Sequence, residues 1–75
     1  MLPNDEWDRF LDVSVRAATL AQRGAIAHGH ETLTAGLAEA RERFTAGECW
    51  ADEMARHYQR ALELYENKYG EELLK

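Results

Sequence analysis

The sequence has a single cysteine, Cys49, and a single proline, Pro3. One cysteine cannot form an intrachain disulfide, which excludes the disulfide-stapled scaffolds common among small secreted domains and favours a reducing compartment. Because the proline lies near the N-terminus, no later residue is a strong helix breaker. The glycines, at positions 24, 29, 36, 47 and 70, are therefore the main candidates for helix ends.

Positive charge is also scarce, since nine Lys and Arg stand against fourteen Asp and Glu, for a formal net charge of −5. Phosphate recognition needs clustered basic residues, so no nucleic-acid partner is expected. Long apolar runs are missing, and the most apolar stretch, residues 13–26, is broken by Arg16, Gln22 and Arg23, which excludes a membrane span. The acidic N-terminal segment is unlike a signal peptide. The sequence therefore predicts a soluble, cytoplasmic protein with no membrane partner.

The length limits what the chain can bury. Seventy-five residues, 45% of them hydrophobic and 31% charged, are enough for one small folded domain. We expect a single helical domain over residues 1–75. A domain of this size has a marginal core, because the apolar area it buries barely offsets the conformational entropy lost on folding. The sequence therefore predicts a homodimer in which association buries further apolar surface.

The first helical tract is well marked. The side chain of Asn4 is predicted to cap a helix whose first turn carries Asp5 and Glu6, where the macrodipole favours negative charge. Apolar and small residues then recur at helical spacing. They are Trp7, Phe10, Leu11, Ser14, Ala17, Ala18, Ala21 and Ala25. The segment His28-Gly29-His30 is predicted to end this helix, with Gly29 in the left-handed conformation.

Two further apolar stripes follow, separated by Gly47. The first comprises Leu33, Leu37, Ala40 and Phe44, and the second comprises Trp50, Met54, Tyr58, Ala61, Leu62, Tyr65, Tyr69 and Leu73. The two stripes keep one helical phase across Gly47, and a glycine inside a helix costs only about 1 kcal/mol. The pattern thus predicts an all-α fold, either an antiparallel helical hairpin or a small three-helix bundle. No alternating run indicates a strand.

Metal-ligating side chains are present at unsuitable spacing. The candidates are His28, His30, Glu31, Cys49, Glu53 and His57. Structural zinc sites usually combine closely spaced ligand pairs, whereas Cys49 and His57 are more than two helical turns apart. No metal and no cofactor are expected.

One string suggests chemistry. Arg23 to His28 reads R-x4-H, which resembles the catalytic motif of the helical HEPN ribonucleases. The resemblance implies a dimeric ribonuclease in which Arg23 and His28 act together at the dimer interface. A small helical DNA-binding regulator is a further alternative. Neither is favoured, because the acidic balance is unsuited to a polyphosphate partner.

The aromatic stripe of the last tract is the strongest functional feature. Tyrosine and tryptophan combine a large contact area with a polar tip and are enriched at binding hot spots. The stripe is therefore either the core of the monomer or an interface. As an interface it would comprise Trp50, Tyr58, Leu62, Tyr65, Tyr69 and Leu73. The sequence favours a protein–protein interaction module, an adaptor, inhibitor or assembly factor without enzymatic activity, which binds itself and another protein through this C-terminal helix.

Overall fold

The computed structural model describes residues 3–74. These residues form three helices, α1 (Asn4–Gln22), α2 (Ile26–Thr45) and α3 (Trp50–Leu73). The all-α prediction is confirmed, and no strand occurs within the described range. The hairpin alternative is wrong because the chain leaves the helix between Thr45 and Trp50 instead of continuing through Gly47.

Both interhelical turns are closed by a glycine in the left-handed region. Gly24 has φ of 89° and Gly47 has φ of 101°. After α1, the N–H of Gly24 donates to the carbonyl of Ala21 at 3.0 Å and that of Ala25 donates to Leu20 at 2.9 Å. This pair of bonds is a Schellman motif, which satisfies carbonyls at the helix end. The same pair of bonds closes α2 around Gly47.

The predicted end of the first helix is therefore wrong. Gly24 ends α1, and the segment His28-Gly29-His30 lies within the first turns of α2. Gly29 is needed there for close packing, because a Cβ at this position would lie 2.8 Å from the carbonyl oxygen of Ala17 and would collide with the hydroxyl of Tyr65. A glycine in the sequence can therefore mark either a helix end or a close contact between helices.

The start of α1 also differs from the prediction. Asn4 is the first helical residue, not the cap, and no side chain caps this end. The carbonyl of Pro3 accepts hydrogen bonds from the N–H groups of Glu6 and Trp7, both at 3.1 Å. The acidic first turn is confirmed, with Asp5 and Glu6 inside it.

The helices run up, down and up, with α2 in the centre. α2 packs extensively against both neighbours, whereas the parallel helices α1 and α3 touch each other much less. The core consists of ten buried apolar residues, half of them from α3. They are Ala17, Ala21, Leu33, Leu37, Ala40, Ala51, Met54, Tyr58, Leu62 and Tyr65. Phe44, expected to share the buried stripe of α2, is instead 50% exposed.

Candidate functional site

The six residues predicted as an interface divide into two groups. Tyr58, Leu62 and Tyr65 are buried in the core of the monomer. The other three are half-buried and pack against the edge of the core. They are Trp50, Tyr69 and Leu73. Their contact with a partner stays a prediction.

A shallow groove lies between α1 and α3. Its floor includes Ser14, Ala18 and Ala61, and its α3 side carries Leu64 and Tyr69. We call it the α1–α3 groove. Its open volume is about 260 Å³. Small side chains on the floor allow another helix to approach closely.

Exposed apolar side chains extend this groove along α1. Leu11 and Val15 are 46% and 65% exposed, and they precede Ala18 by seven and three residues, which places all three along one edge of the helix. Across the groove, Leu64 is 54% exposed. The structure thus leaves three large apolar side chains of α1 and α3 outside the core. We call Leu11, Val15 and Leu64 the apolar rim.

The lining of the α1–α3 groove is almost free of charge. Among residues 3–74, Lys68 is the one charged residue that lines it, and its ammonium lies 5.4 Å from the ring centre of Tyr69. The hydroxyl of Ser14 is buried in the floor and has no hydrogen-bond partner among the described residues. An occupant of this groove must therefore be mainly apolar.

A second groove lies between α2 and α3 and includes no residue of α1. Leu37 and Phe44 on α2 and Ala55 on α3 supply its apolar surface, and three arginines line it. They are Arg41, Arg56 and Arg60. We call it the arginine groove, and its open volume is about 600 Å³.

Charged side chains also cluster between α1 and α2, where they are already paired. The guanidinium of Arg43 bonds to Glu6 and, at 2.9 Å, to Glu39, while Arg9 reaches the other oxygen of Glu39 at 2.7 Å. The hydrogen bond to Glu6 raises the pKa of Arg43 above its ordinary value. The guanidinium also lies 5.8 Å from the ring centre of Trp50. This cluster holds α1 on α2 and leaves neither carboxylate free for chemistry.

Burial perturbs two phenols. The pKa values of Tyr58 and Tyr65 are both raised, mainly because burial penalises the charged phenolate. The hydroxyl of Tyr65 donates a 2.6 Å hydrogen bond to the carbonyl of Ile26 at the start of α2. Both tyrosines are thus held as neutral core residues.

His30 and His57 make contacts between helices. His30 shares a 2.8 Å hydrogen bond with Glu66, which links α2 to α3. The ring of His57 packs against Trp7 and Phe10, at centroid distances of 5.0 and 5.8 Å. Within residues 3–74 no three His, Cys, Asp or Glu side chains converge as a metal site would require.

The residues of the R-x4-H string lie around the first turn. Arg23 caps the end of α1 and His28 stands in the first turn of α2, and both are exposed. Neither lines the α1–α3 groove or the arginine groove. No hydrogen bond between the two side chains is found over the described part of the chain. The ribonuclease alternative would need a second copy to complete a site here.

The sequence contained part of the signal for the two grooves. Val15 lies off the main stripe of its tract and Leu64 lies beside the aromatic stripe, so both lie outside the stripes that are predicted to form one core. The arginines of the second groove carried no such signal, because isolated arginines on helices are ordinary surface residues.

Across residues 3–74 no helix has the length and apolar character that crossing a membrane requires. Comparisons of this chain with protein-family models, with curated proteins and with solved structures find no match.

Proposed function

We propose that this protein is a helical interaction module that acts by binding, as an adaptor, inhibitor or assembly factor, and catalyses no reaction. Its first partner is a second copy of the chain, docked in the α1–α3 groove. The observation that carries this proposal is the apolar rim: Leu64 is exposed in a groove floored by small residues, and Leu11 and Val15 are exposed on α1, at helical spacing from Ala18 in that groove. An exposed apolar surface of this kind typically marks an interface.

The small core supports self-association. Met54 is the one large side chain that is fully buried within the described range, and four of the ten core residues are alanines. A core of this type stabilises a domain of 8.6 kDa only marginally. Covering the apolar rim would add buried apolar surface at about 25 cal/mol per Å².

The chemistry of the groove favours a second copy over a charged partner. A two-fold axis through the groove would place the apolar rim of one chain on that of the other, so the same residues serve both sides. The lining offers only Lys68 to attract a charged ligand. Tyr65 and Tyr69, the two residues of the predicted aromatic interface that line this groove, would lie beside the contact.

We place this activity in a reducing compartment, as in the cytoplasm. Cys49 is exposed and unpaired in the structure. An exposed free thiol is prone to oxidation outside reducing compartments. This assignment rests on the thiol and is independent of the dimer.

Sedimentation velocity tests the dimer. The wild-type chain at micromolar concentration should sediment at twice 8.6 kDa. Val15→Glu and Leu64→Glu each place a charge in the rim and should raise the dimer dissociation constant at least about tenfold, since burying an unpaired carboxylate is costly. Both side chains are exposed in the monomer, so circular dichroism should stay helical.

Ala35→Glu is the matched control. Ala35 is exposed on α2 and lies outside both grooves, so the same added charge there should leave the dimer intact. A wild-type chain that sediments only as a monomer would refute the dimer. Equal weakening by all three variants would show a general charge effect and would refute the placement in this groove.

A further inference from the structure

The arginine groove differs in charge from the rest of the molecule. Three of the seven arginines line it, with Asp52 and Glu63 as the acidic lining residues, in a chain of formal charge −5. The groove is thus a basic surface on an acidic protein. Such a reversal of sign favours a partner with negative charge.

The pairing of these arginines leaves them able to bind outside groups. Arg56 bonds to Asp52 at 3.0 Å and Arg60 approaches Glu63 at 3.6 Å, and both guanidinium-bearing side chains are more than two thirds exposed. Arg41 donates to the neutral amide oxygen of Gln59 at 3.2 Å. The hydrogen bond of Arg41 to Gln59 therefore leaves its positive charge without a carboxylate partner among residues 3–74. The ion pairs of Arg56 and Arg60 are solvent-exposed and therefore weak.

The floor of the groove is apolar. The side chain of Phe44 is half exposed although it continues the phase of buried Leu37, because none of the three helices within residues 3–74 covers this side of α2 and α3. An occupant with an apolar side chain would complete that contact. Arginines around an exposed aromatic ring thus favour a ligand that has both carboxylates and an apolar side chain.

Within the chain, α1 packs on the other side of α2 and α3 through contacts of this type. α1 is an acidic helix that binds α2 through Glu6 on Arg43 and reaches α3 through the ring of Phe10 on Tyr58, at 4.9 Å between centroids. It therefore shows how an acidic helix with an aromatic anchor docks on this helix pair. The arginine groove offers the same combination of guanidinium groups and an aromatic ring between the same two helices.

We propose that the arginine groove binds an acidic amphipathic helix of a partner protein, with carboxylates on Arg41, Arg56 and Arg60 and one apolar side chain on Phe44. This mode is a helix in a groove, in which anchors recur at helical spacing. A nucleic acid is a poorer ligand, because Asp52 and Glu63 beside the arginines and the acidic remainder of the chain repel a continuous phosphate backbone. The site is separate from the α1–α3 groove and does not depend on the dimer.

The probe is a fluorescent synthetic helix with glutamates along one face and a single phenylalanine on that face, measured by fluorescence anisotropy. It should bind the full chain, and binding should weaken as salt rises. Replacing its glutamates by glutamine, or its phenylalanine by alanine, should each reduce affinity at least about fivefold. If the glutamine peptide binds as tightly as the glutamate peptide, charge recognition is refuted.

Two variants of the protein form a matched pair. Arg56→Gln removes a groove arginine that is ion-paired to Asp52, four residues earlier, and Arg16→Gln removes an arginine on α1 that is ion-paired to Asp12 in the same way. Arg56→Gln should lower the affinity for the glutamate peptide about fivefold. Arg16→Gln should leave that affinity unchanged, although both variants change the net charge equally. Equal effects would show non-specific attraction and overturn the proposal.

Phe44→Ala tests the apolar anchor and should lower the affinity for the glutamate peptide about thirtyfold, as expected at a binding hot spot. Because Phe44 is half exposed, this variant should keep its helical circular dichroism. A single-stranded oligonucleotide of equal charge serves as the competing ligand. If the oligonucleotide binds more tightly than the peptide and loses affinity with Arg56→Gln, the groove is a nucleic-acid site and the proposal is wrong.

Discussion

The ring of Tyr58 lies directly against the backbone of Gly36, so that a Cβ on Gly36 would come within 2.5 Å of Cε1 and 2.8 Å of Cζ. Tyr65 stands against Gly29 in the same manner, seven residues later on α3 and seven residues earlier on α2. The contact between α2 and α3 is therefore built from two glycine–tyrosine pairs. These pairs bury the rings of Tyr58 and Tyr65 in the core.

The first prediction concerns this contact. Gly36→Ala should destabilise the protein by about 2 kcal/mol, because the added methyl forces the Tyr58 ring to move in a packed core and overrides the gain in helix propensity. Gly70→Ala is the control, since a Cβ there meets nothing within 4 Å, and it should stabilise by about 0.5–1 kcal/mol. Urea unfolding measures both, and a stabilising Gly36→Ala would refute the described contact.

Periodicity predicts the helical content, which depends on local properties, but it leaves open whether the helix breaks at Gly47, because the apolar stripes keep one phase across that glycine. The sequence misplaced the first turn, since Gly24 and Gly29 are equally good breakers and only the position of Tyr65 in three dimensions shows that Gly29 is a packing residue. It could not decide whether Tyr58 faces inward, because helical spacing is the same for a core stripe and an interface stripe.

The candidate grooves were predictable only in part. Val15 and Leu64 lie outside the apolar stripes, so the sequence shows that apolar side chains exist beyond those stripes but not which helices they lie between. Phe44 was placed in the core, because its phase matches Leu37, but phase does not report whether another helix covers that end of α2.

The second prediction separates Leu37 from Phe44. Leu37 is 8% exposed, so Leu37→Ala should cost about 2–4 kcal/mol of unfolding free energy through lost burial and a cavity. Phe44→Ala should cost less than about 1 kcal/mol, because half of its side chain already contacts solvent. Chemical denaturation compares them, and equal losses would show that Phe44 belongs to the core.

A third prediction concerns Ser14, whose hydroxyl oxygen is buried without a partner in the described structure. Ser14→Ala removes an unsatisfied polar group and improves helix propensity, so it should stabilise by about 1 kcal/mol and raise the melting temperature by several degrees. Thermal unfolding followed by circular dichroism measures the shift. A lower melting temperature would mean that the hydroxyl makes a hydrogen bond that stabilises the fold.

The fourth prediction is a loss of stability in alkali. Burial raises the pKa values of Tyr58 and Tyr65, so the folded state favours their neutral forms. This stability is fully present below the unfolded-state pKa of about 10 and is lost as the pH rises through the raised folded-state values. The melting temperature should therefore fall above about pH 10, and Tyr58→Phe should make that fall shallower. An unchanged pH dependence in Tyr58→Phe would contradict the buried environment of this phenol.

The most direct test of the account is an isotope-filtered nuclear Overhauser measurement on a mixture of labelled and unlabelled chains. It detects only contacts between two copies. If the α1–α3 groove is the dimer interface, intermolecular signals should join the methyl groups of Leu11, Val15 and Leu64. The absence of intermolecular signals, or signals confined to the arginine groove around Phe44, would contradict the account.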